Sequence, residues 1–292
     1  MPTDDPSERL AAIAREQPDD VDLDALGICL DADSAAVRLR AAEALAHLAL
    51  SGRDVSRLED RIESLLADTD LLDERVRLSV DESDGFFQPS SVGFAVSAMV
   101  LTGQADPESL LRLAARAYER HHATFDAVQQ GYAAVRDLGW ALASVVILTD
   151  AYETALIDLV THADPTVRRI GTAGLSDVAE EYAPIRGRLP AETPRLVATA
   201  ADRLATDRDR RVRYYAAFTL YEFALDDAGA VTGRSDTLRA ALDDEYDLVR
   251  KEAAGALGTL GAVEATAEIR ELRDDSSARV REAAASALDD LE

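Results

Sequence analysis

One recurrence constrains this chain more than any other feature. The dipeptide Val-Arg returns at Val37-Arg38, Val167-Arg168, Val212-Arg213, Val249-Arg250 and Val280-Arg281. Each valine opens the same stripe at offsets +4, +8 and +11. The stripe reads Ala41, Leu45, Leu48 in the first copy and Gly171, Leu175, Val178 in the second. It then reads Ala216, Leu220, Phe223, next Ala253, Leu257, Leu260, and last Ala284, Leu288, Leu291. These offsets follow a helical period of about 3.6 residues, so each copy is an amphipathic helix with one buried face. The +4 place is always Ala or Gly, which lets a neighbouring helix come close.

A short acidic turn precedes each stripe, as in Asp31-Ala32-Asp33-Ser34, Asp243-Asp244-Glu245 and Asp274-Asp275-Ser276-Ser277. Asp and Ser are good N-caps, and negative charge suits a helix N-terminus. Before each turn lies a shorter apolar helix: Leu23 to Leu30, Thr154 to Val160, Leu196 to Leu204 and Ala262 to Leu272. The unit is therefore helix, acidic turn, helix. From Val167 on, the Val-Arg pairs lie 45, 37 and 31 residues apart. Such a unit cannot bury its face alone and has to stack on copies of itself.

The pattern resembles HEAT repeats, in particular the short HEAT-like repeats of the phycocyanobilin-lyase type. Their Val-Arg-x-x-Ala-Ala-x-Ala-Leu consensus is matched by Val249 to Leu257 and by Val280 to Leu288. The resemblance implies an all-α, right-handed α-solenoid of about six to seven helical pairs, with the second helix of each pair lining the concave face. Residues 1–292 then form a single solenoid. Residues 20–50 and 151–292 carry clear repeats. Residues 51–150 carry degenerate ones with a loop insertion near 81–91, where Asp81 to Pro89 has loop composition. A helix is expected from about Ser90 to Leu101.

Composition agrees. The 292 residues include 54 Ala but only 15 Gly and 9 Pro, which favours helix over a turn-rich β-sandwich. The lone Cys29 excludes an internal disulfide framework and a Cys-cluster zinc site. Asp and Glu number 56 against 31 Lys and Arg, a net charge of −25, and Lys251 is the single lysine. Asp excess with almost no Lys resembles proteins of the salt-in haloarchaeal cytoplasm. Such a charge disfavours nucleic acid as a partner, although less strongly when the acidity is an adaptation to salt. The N-terminus Met-Pro-Thr-Asp-Asp-Pro has no signal-peptide pattern. The longest apolar run, near Val92 to Leu101, falls well short of the ~20 residues of a spanning helix. No membrane association and a cytoplasmic location are expected.

Chemistry is sparse. His47, His121, His122 and His162 form no His-Glu dipeptide, unlike the di-iron HEAT-repeat enzyme deoxyhypusine hydroxylase. Adjacent His121 and His122 point about 100° apart on a helix. Cys29 lies among Leu26, Ile28 and Leu30 and reads as core. Neither Gly-x-Ser-x-Gly nor a Walker loop occurs. Trp140, between Leu138 and Leu148, also reads as core. No catalytic residue, cofactor or metal is expected. The reading is a non-catalytic scaffold or adaptor binding another protein along the concave face. The alternatives are a HEAT-like enzyme of the alkylpurine DNA glycosylase type and an accessory adaptor of a taxis or motility system. Bilin-lyase activity finds no residue to carry it.

Two places run against the acidic background and are the candidate partner-binding residues. Arg208, Arg210, Arg211 and Arg213 fall within six residues, followed by Tyr214 and Tyr215, and Arg and Tyr are enriched at binding hot spots. The competing account is structural: Arg213 belongs to the repeat and would pair with turn aspartates, while Asp207 and Asp209 could neutralise the others. Phe86 and Phe87 stand side by side in a polar stretch. They either present an apolar knob or fold back on the helices.

Overall fold

The computed structural model describes residues 6–67, 71, 75, 78–79, 86–87, 89–121 and 127–292. They form an all-α solenoid of stacked helical pairs, with one two-rung antiparallel ribbon. The chain divides into two compact units, residues 1–156 and 157–292.

In the first unit, α1 (Pro6–Glu16) precedes three pairs: α2 (Leu23–Leu30) with α3 (Ala35–Leu50), α4 (Glu59–Ala67) with α5 (Ser91–Leu101), and α6 (Glu108–His121) with α7 (Ala127–Thr149). One layer runs α1, α3, α5, α7, and the other runs α2, α4, α6. All eleven residues of α5 are buried, so its sequence is apolar right round. The Ser90 hydroxyl accepts the Gly93 N–H at 2.9 Å and caps it. The insertion ahead of α5 contains the ribbon, in which β1 (Leu78–Ser79) pairs with β2 (Phe86–Phe87), Leu78 opposite Phe87 and Ser79 opposite Phe86. The expected loop thus contributes a ribbon arm at Phe86 and Phe87, while 81–85 and 88 lie outside the described residues. Val135 and Leu138, at +8 and +11 from Ala127 on α7, are buried although Val128 stands where the other copies have Arg. Trp140 is half-buried rather than core.

In the second unit, α9 (Pro165–Arg186), α11 (Arg210–Asp226), α14 (Asp247–Thr259) and α16 (Ala278–Leu291) stack side by side. These are the helices that open at or just before the Val-Arg pairs. Their companions are α8 (Glu153–Val160), which straddles the unit boundary, α10 (Thr193–Thr206), α12 (Ala228–Val231) with α13 (Ser235–Ala240), and α15 (Thr266–Glu271). The expected helix over 262–272 is broken: residues 263–265 and 272–274 are tight 3₁₀ turns flanking six α-helical residues.

The stripe register holds. Val167, Val212, Val249 and Val280 are fully buried, and so are Ala216, Ala253 and Ala284 at +4. Gly171 shows why that place must be small. A Cβ there would sit 2.8 Å from the backbone of Leu159 and Val160, closer than real contacts allow. Gly258 marks a second close approach, where a Cβ would sit 2.7 Å from the Cα of Ala287 on α16. Leu257 at +8 has no exposed surface. Leu257→Ala is expected to lower unfolding free energy by roughly 2–5 kcal/mol, as buried leucine truncations do. Urea denaturation followed by circular dichroism measures it, and a change within about 0.5 kcal/mol would contradict the register.

Candidate interaction surface

The arginine of each Val-Arg pair closes the turn before its own helix, and Arg168, Arg213 and Arg250 also grip the next turn. Arg213 donates from Nη1 to the carbonyls of Asp207 and Arg208, at 3.1 and 3.2 Å. Its Nε and Nη2 form a bidentate pair with Asp244 at 2.6 and 3.0 Å, and Nη2 also reaches Glu245 at 3.1 Å. Arg168 repeats this with the carbonyls of His162 and Ala163 and with the Asp207 carboxylate. Arg250 donates to the Asp244 carbonyl and pairs bidentately with Asp275 at 2.8 and 2.9 Å. Arg281 and Arg38 hold their own turns' carbonyls.

The acidic turns therefore do more than cap helices. Asp164 and Asp209 are N-caps, as their side chains accept N–H groups of the first helical turn. Asp207, Asp244 and Asp275 lie two residues earlier and accept the N–H of the cap residue itself, at 2.9, 2.8 and 2.7 Å. Each carboxylate thus carries a backbone bond and a guanidinium. The Arg250 hydrogen bond is the main reason the Asp275 carboxyl is held below its usual range.

This ladder sorts the candidate residues. Arg213 is bound within it, and Tyr215 is completely buried, so neither presents itself to a partner. The aspartates interleaved with the cluster are occupied from α9 and α10. Asp207 pairs with Arg168 and, at 3.6 Å, with Arg203, and Asp209 pairs with Arg169. They are not the counter-ions of Arg208 and Arg210, both of which are exposed. Arg210 lies over the Tyr246 ring, 5.0 Å from its centroid, a cation–π contact. Tyr214 is half-buried and meets Tyr246 edge-on at 6.3 Å, and Arg211 is also half-buried. The side chains of Phe86 and Phe87 lie outside what is described.

The sequence reading missed the rest of this face. Tyr214, Phe218 and Tyr221 recur every three to four residues along α11, opposite its buried stripe, Glu222 follows, and all are partly exposed. Tyr214 and Phe218 stack at 6.3 Å. Tyr221 lies across to α14, where a Cβ on Gly255 would be 3.2 Å from its ring. Carboxylates gather at the C-terminal end. Burial, then Glu180, Glu252 and Asp226, push Glu222 up to about 7, and Lys251 opposes them weakly. Glu252 is almost fully buried and is raised by that burial, although Lys251 donates to it at 2.9 Å. The signal that could have found this face is the +2, +6, +9 spacing of aromatics after Val212.

On the turn side, a cleft of about 560 Å³ opens between α10 and α13, floored by Asp207, Arg213 and Asp244. Its polar floor is already ion-paired. Among the described residues no His, Cys, Asp and Glu group is arranged to hold a metal ion, and no helix is long and apolar enough to cross a membrane.

Two variants test this account. Arg250→Lys cannot reproduce a bidentate pair together with a carbonyl bond, and is expected to cost about 1–3 kcal/mol in urea denaturation. Glu222 gives a pH dependence. Its folded pKa, about 7, exceeds the ordinary 4.5, so the folded state holds its proton more tightly than the unfolded one. That contribution to stability is complete below pH 4.5 and is lost as pH rises through 7. Glu222→Gln is therefore expected to raise the melting temperature at pH 8 and leave it nearly unchanged at pH 4.5, as read by thermal denaturation.

Residues 197–289 match the family model for HEAT repeats. No curated protein matches the chain. Solved structures that resemble it include an engineered protein from the Northeast Structural Genomics Consortium, with 19% identity over 92% of this chain and 96% of that one and a TM-score of 0.42. A designed armadillo repeat protein shares 16% identity over 93% and 100%, with a TM-score of 0.43. Another, solved in complex with peptide (KR)4, shares 15% over 93% and 100%, with a TM-score of 0.44. The Val-Arg register and the stacked helical pairs thus include, over residues 197–289, a segment that matches HEAT repeats.

Proposed function

We propose that this protein is a non-catalytic scaffold that binds another protein along its concave face, lined by the exposed sides of the Val-Arg helices, in a halophilic cytoplasm. The observation that carries the reading is the division of the arginine cluster. The ladder absorbs Arg213 and Asp207, Arg169 holds Asp209, and Arg208 and Arg210 are left exposed, Arg210 over the Tyr246 ring. Exposed guanidinium groups against aromatic rings are what binding hot spots are made of. Phe86 and Phe87, on the arm of the insertion, are proposed as a second contact. The halophilic setting rests on the charge of −25 and the single lysine. In molar salt the screening length falls to about 3 Å, so exposed ion pairs weaken while apolar anchors and bidentate Arg contacts persist.

The test is affinity capture from the source lysate in molar KCl, with the full chain immobilised and bound proteins identified by mass spectrometry. The expected result is a specific partner retained by the wild type and lost by a folded Arg208→Ser, Arg210→Ser variant. A Phe86→Ala, Phe87→Ala variant reports on the second contact in the same way. Capture of no specific protein overturns the scaffold reading. Retention of every partner by both folded variants overturns the assignment of these residues.

A further inference from the structure

The aromatic face of α11 has a chemistry of its own, and it calls for a particular kind of partner. We propose that Phe218 and Tyr221, with Glu222 and the acidic side chains of the flanking helices, form a docking surface for an arginine-bearing segment of a partner protein. The inference rests on the scaffold reading above and names the partner's chemistry.

Three observations carry it. First, the chain has only 14 Phe and Tyr residues, yet three of them line the outward stripe of one helix. Tyr214, Phe218 and Tyr221 are all partly exposed, although the neighbouring turns bury Tyr215 and Phe223 completely. Second, the Tyr221 ring reaches across to α14. The missing side chain at Gly255 leaves room for it there, since a Cβ would come within 3.2–3.5 Å of three ring atoms. Third, the charge acting on Glu222 is mostly negative. After burial, Glu180 on α9, Glu252 on α14 and Asp226 on α11 raise its pKa, and Lys251 on α14 opposes them. The Tyr221 hydroxyl is itself raised by burial, then by Glu222 and Glu252, with a further push from Asp290 on α16. Lys251 is already committed to Glu252 at 2.9 Å.

A guanidinium satisfies all three. Its plane stacks on an aromatic ring, its fork matches a carboxylate, and its charge relieves the repulsion among carboxylates held close together. An acidic or purely aliphatic segment would meet the rings but leave the carboxylates uncompensated. Arg210 opens the other end of the same helix and Arg208 lies in the turn before it, so an acidic segment would be drawn there instead.

The probe is fluorescein-labelled hexa-arginine, titrated with the full chain by anisotropy in the lowest salt that preserves full helicity. Hexa-glutamate serves as the opposite-charge comparison. Saturable binding of hexa-arginine is expected, weakened about tenfold by Tyr221→Leu and by Glu222→Gln and retained by Tyr221→Phe, which keeps the ring. Asp236→Asn removes an equal charge at a fully exposed position on α13 and is expected to leave binding within about twofold. Equal loss from Glu222→Gln and Asp236→Asn, with Tyr221→Leu silent, would mean diffuse attraction to an acidic chain and overturns the proposal. Tighter binding of hexa-glutamate overturns it as well. Should Tyr221→Leu unfold, the comparison of Phe218→Ala with Asp236→Asn decides on the same criteria. Failure here alongside a captured partner in molar salt would leave the scaffold standing and remove only the basic segment. Capture of nothing would remove the scaffold itself.

Discussion

The architecture of the C-terminal unit turns on one interaction, the fork of the Val-Arg arginine. A turn between two helices leaves carbonyl oxygens that neither helix can satisfy. Arg168, Arg213, Arg250 and Arg281 each fold back on the turn five to six residues upstream and donate to those carbonyls. The other edge of the guanidinium remains free in the first three, and a carboxylate two residues ahead of the next cap meets it. The same carboxylate accepts the cap's own N–H. One side chain therefore fixes the shape of its own turn and the distance to the next, and a planar five-donor group is the one that can do both. These pairs are largely shielded, with arginine side chains 12–17% exposed, so removing one partner would strand the other in a poorly solvated place.

Because the ladder claims the turn aspartates, it decides what the remaining surface looks like. Asp207 and Asp209 stand between arginines in sequence, and local neutralisation would be the obvious expectation. In space they face α9 and α10, where Arg168, Arg169 and Arg203 hold them. The charge of Arg208 and Arg210 is left uncompensated by its sequence neighbours. Opposite the ladder the balance reverses: carboxylates from α9, α11 and α14 crowd around Glu222 with one lysine among them. The exposed face of α11 thus runs from cationic and aromatic at its start to anionic at its end.

How much of this was legible in the sequence depended on how local the determining contact is. The stripe at +4, +8 and +11 depends only on helical period, and it placed Ala216, Leu220 and Phe223 in the core as observed. The helix over Leu23–Leu30 emerged with its ends intact because Asp22 caps it locally. The interhelical role of Asp207 was visible only as a possible pairing, since its partner Arg168 is 39 residues away. Tyr214 and Tyr215 read as one site in sequence. Neighbours on a helix point about 100° apart, so one reaches the surface and the other the core. Phe218 and Tyr221 escaped notice because they fall outside the +4, +8 and +11 stripe that the helical period singles out. The helix over 262–272 was read too long because apolar spacing does not distinguish α from 3₁₀ turns.

Salt should act unequally on the two sides of this unit, and the asymmetry follows from distance and burial. The ladder pairs are short, bidentate and shielded, with Arg213 at 2.6 Å from Asp244 and Arg250 at 2.8 Å from Asp275. Mobile ions cannot enter that gap, so ionic strength changes these contacts little. The carboxylates around Glu222 repel one another across partly solvated space, where ions do enter. Raising salt from 0.1 M to 1 M shortens the screening length from about 10 Å to about 3 Å and removes most of that repulsion. Salt therefore relieves the anionic face while leaving the ladder intact. A bound guanidinium would provide the same relief at a single point. The acidic face and the ladder are accordingly two separate solutions to charge: one depends on the solvent or on a partner, and the other is built into the repeat.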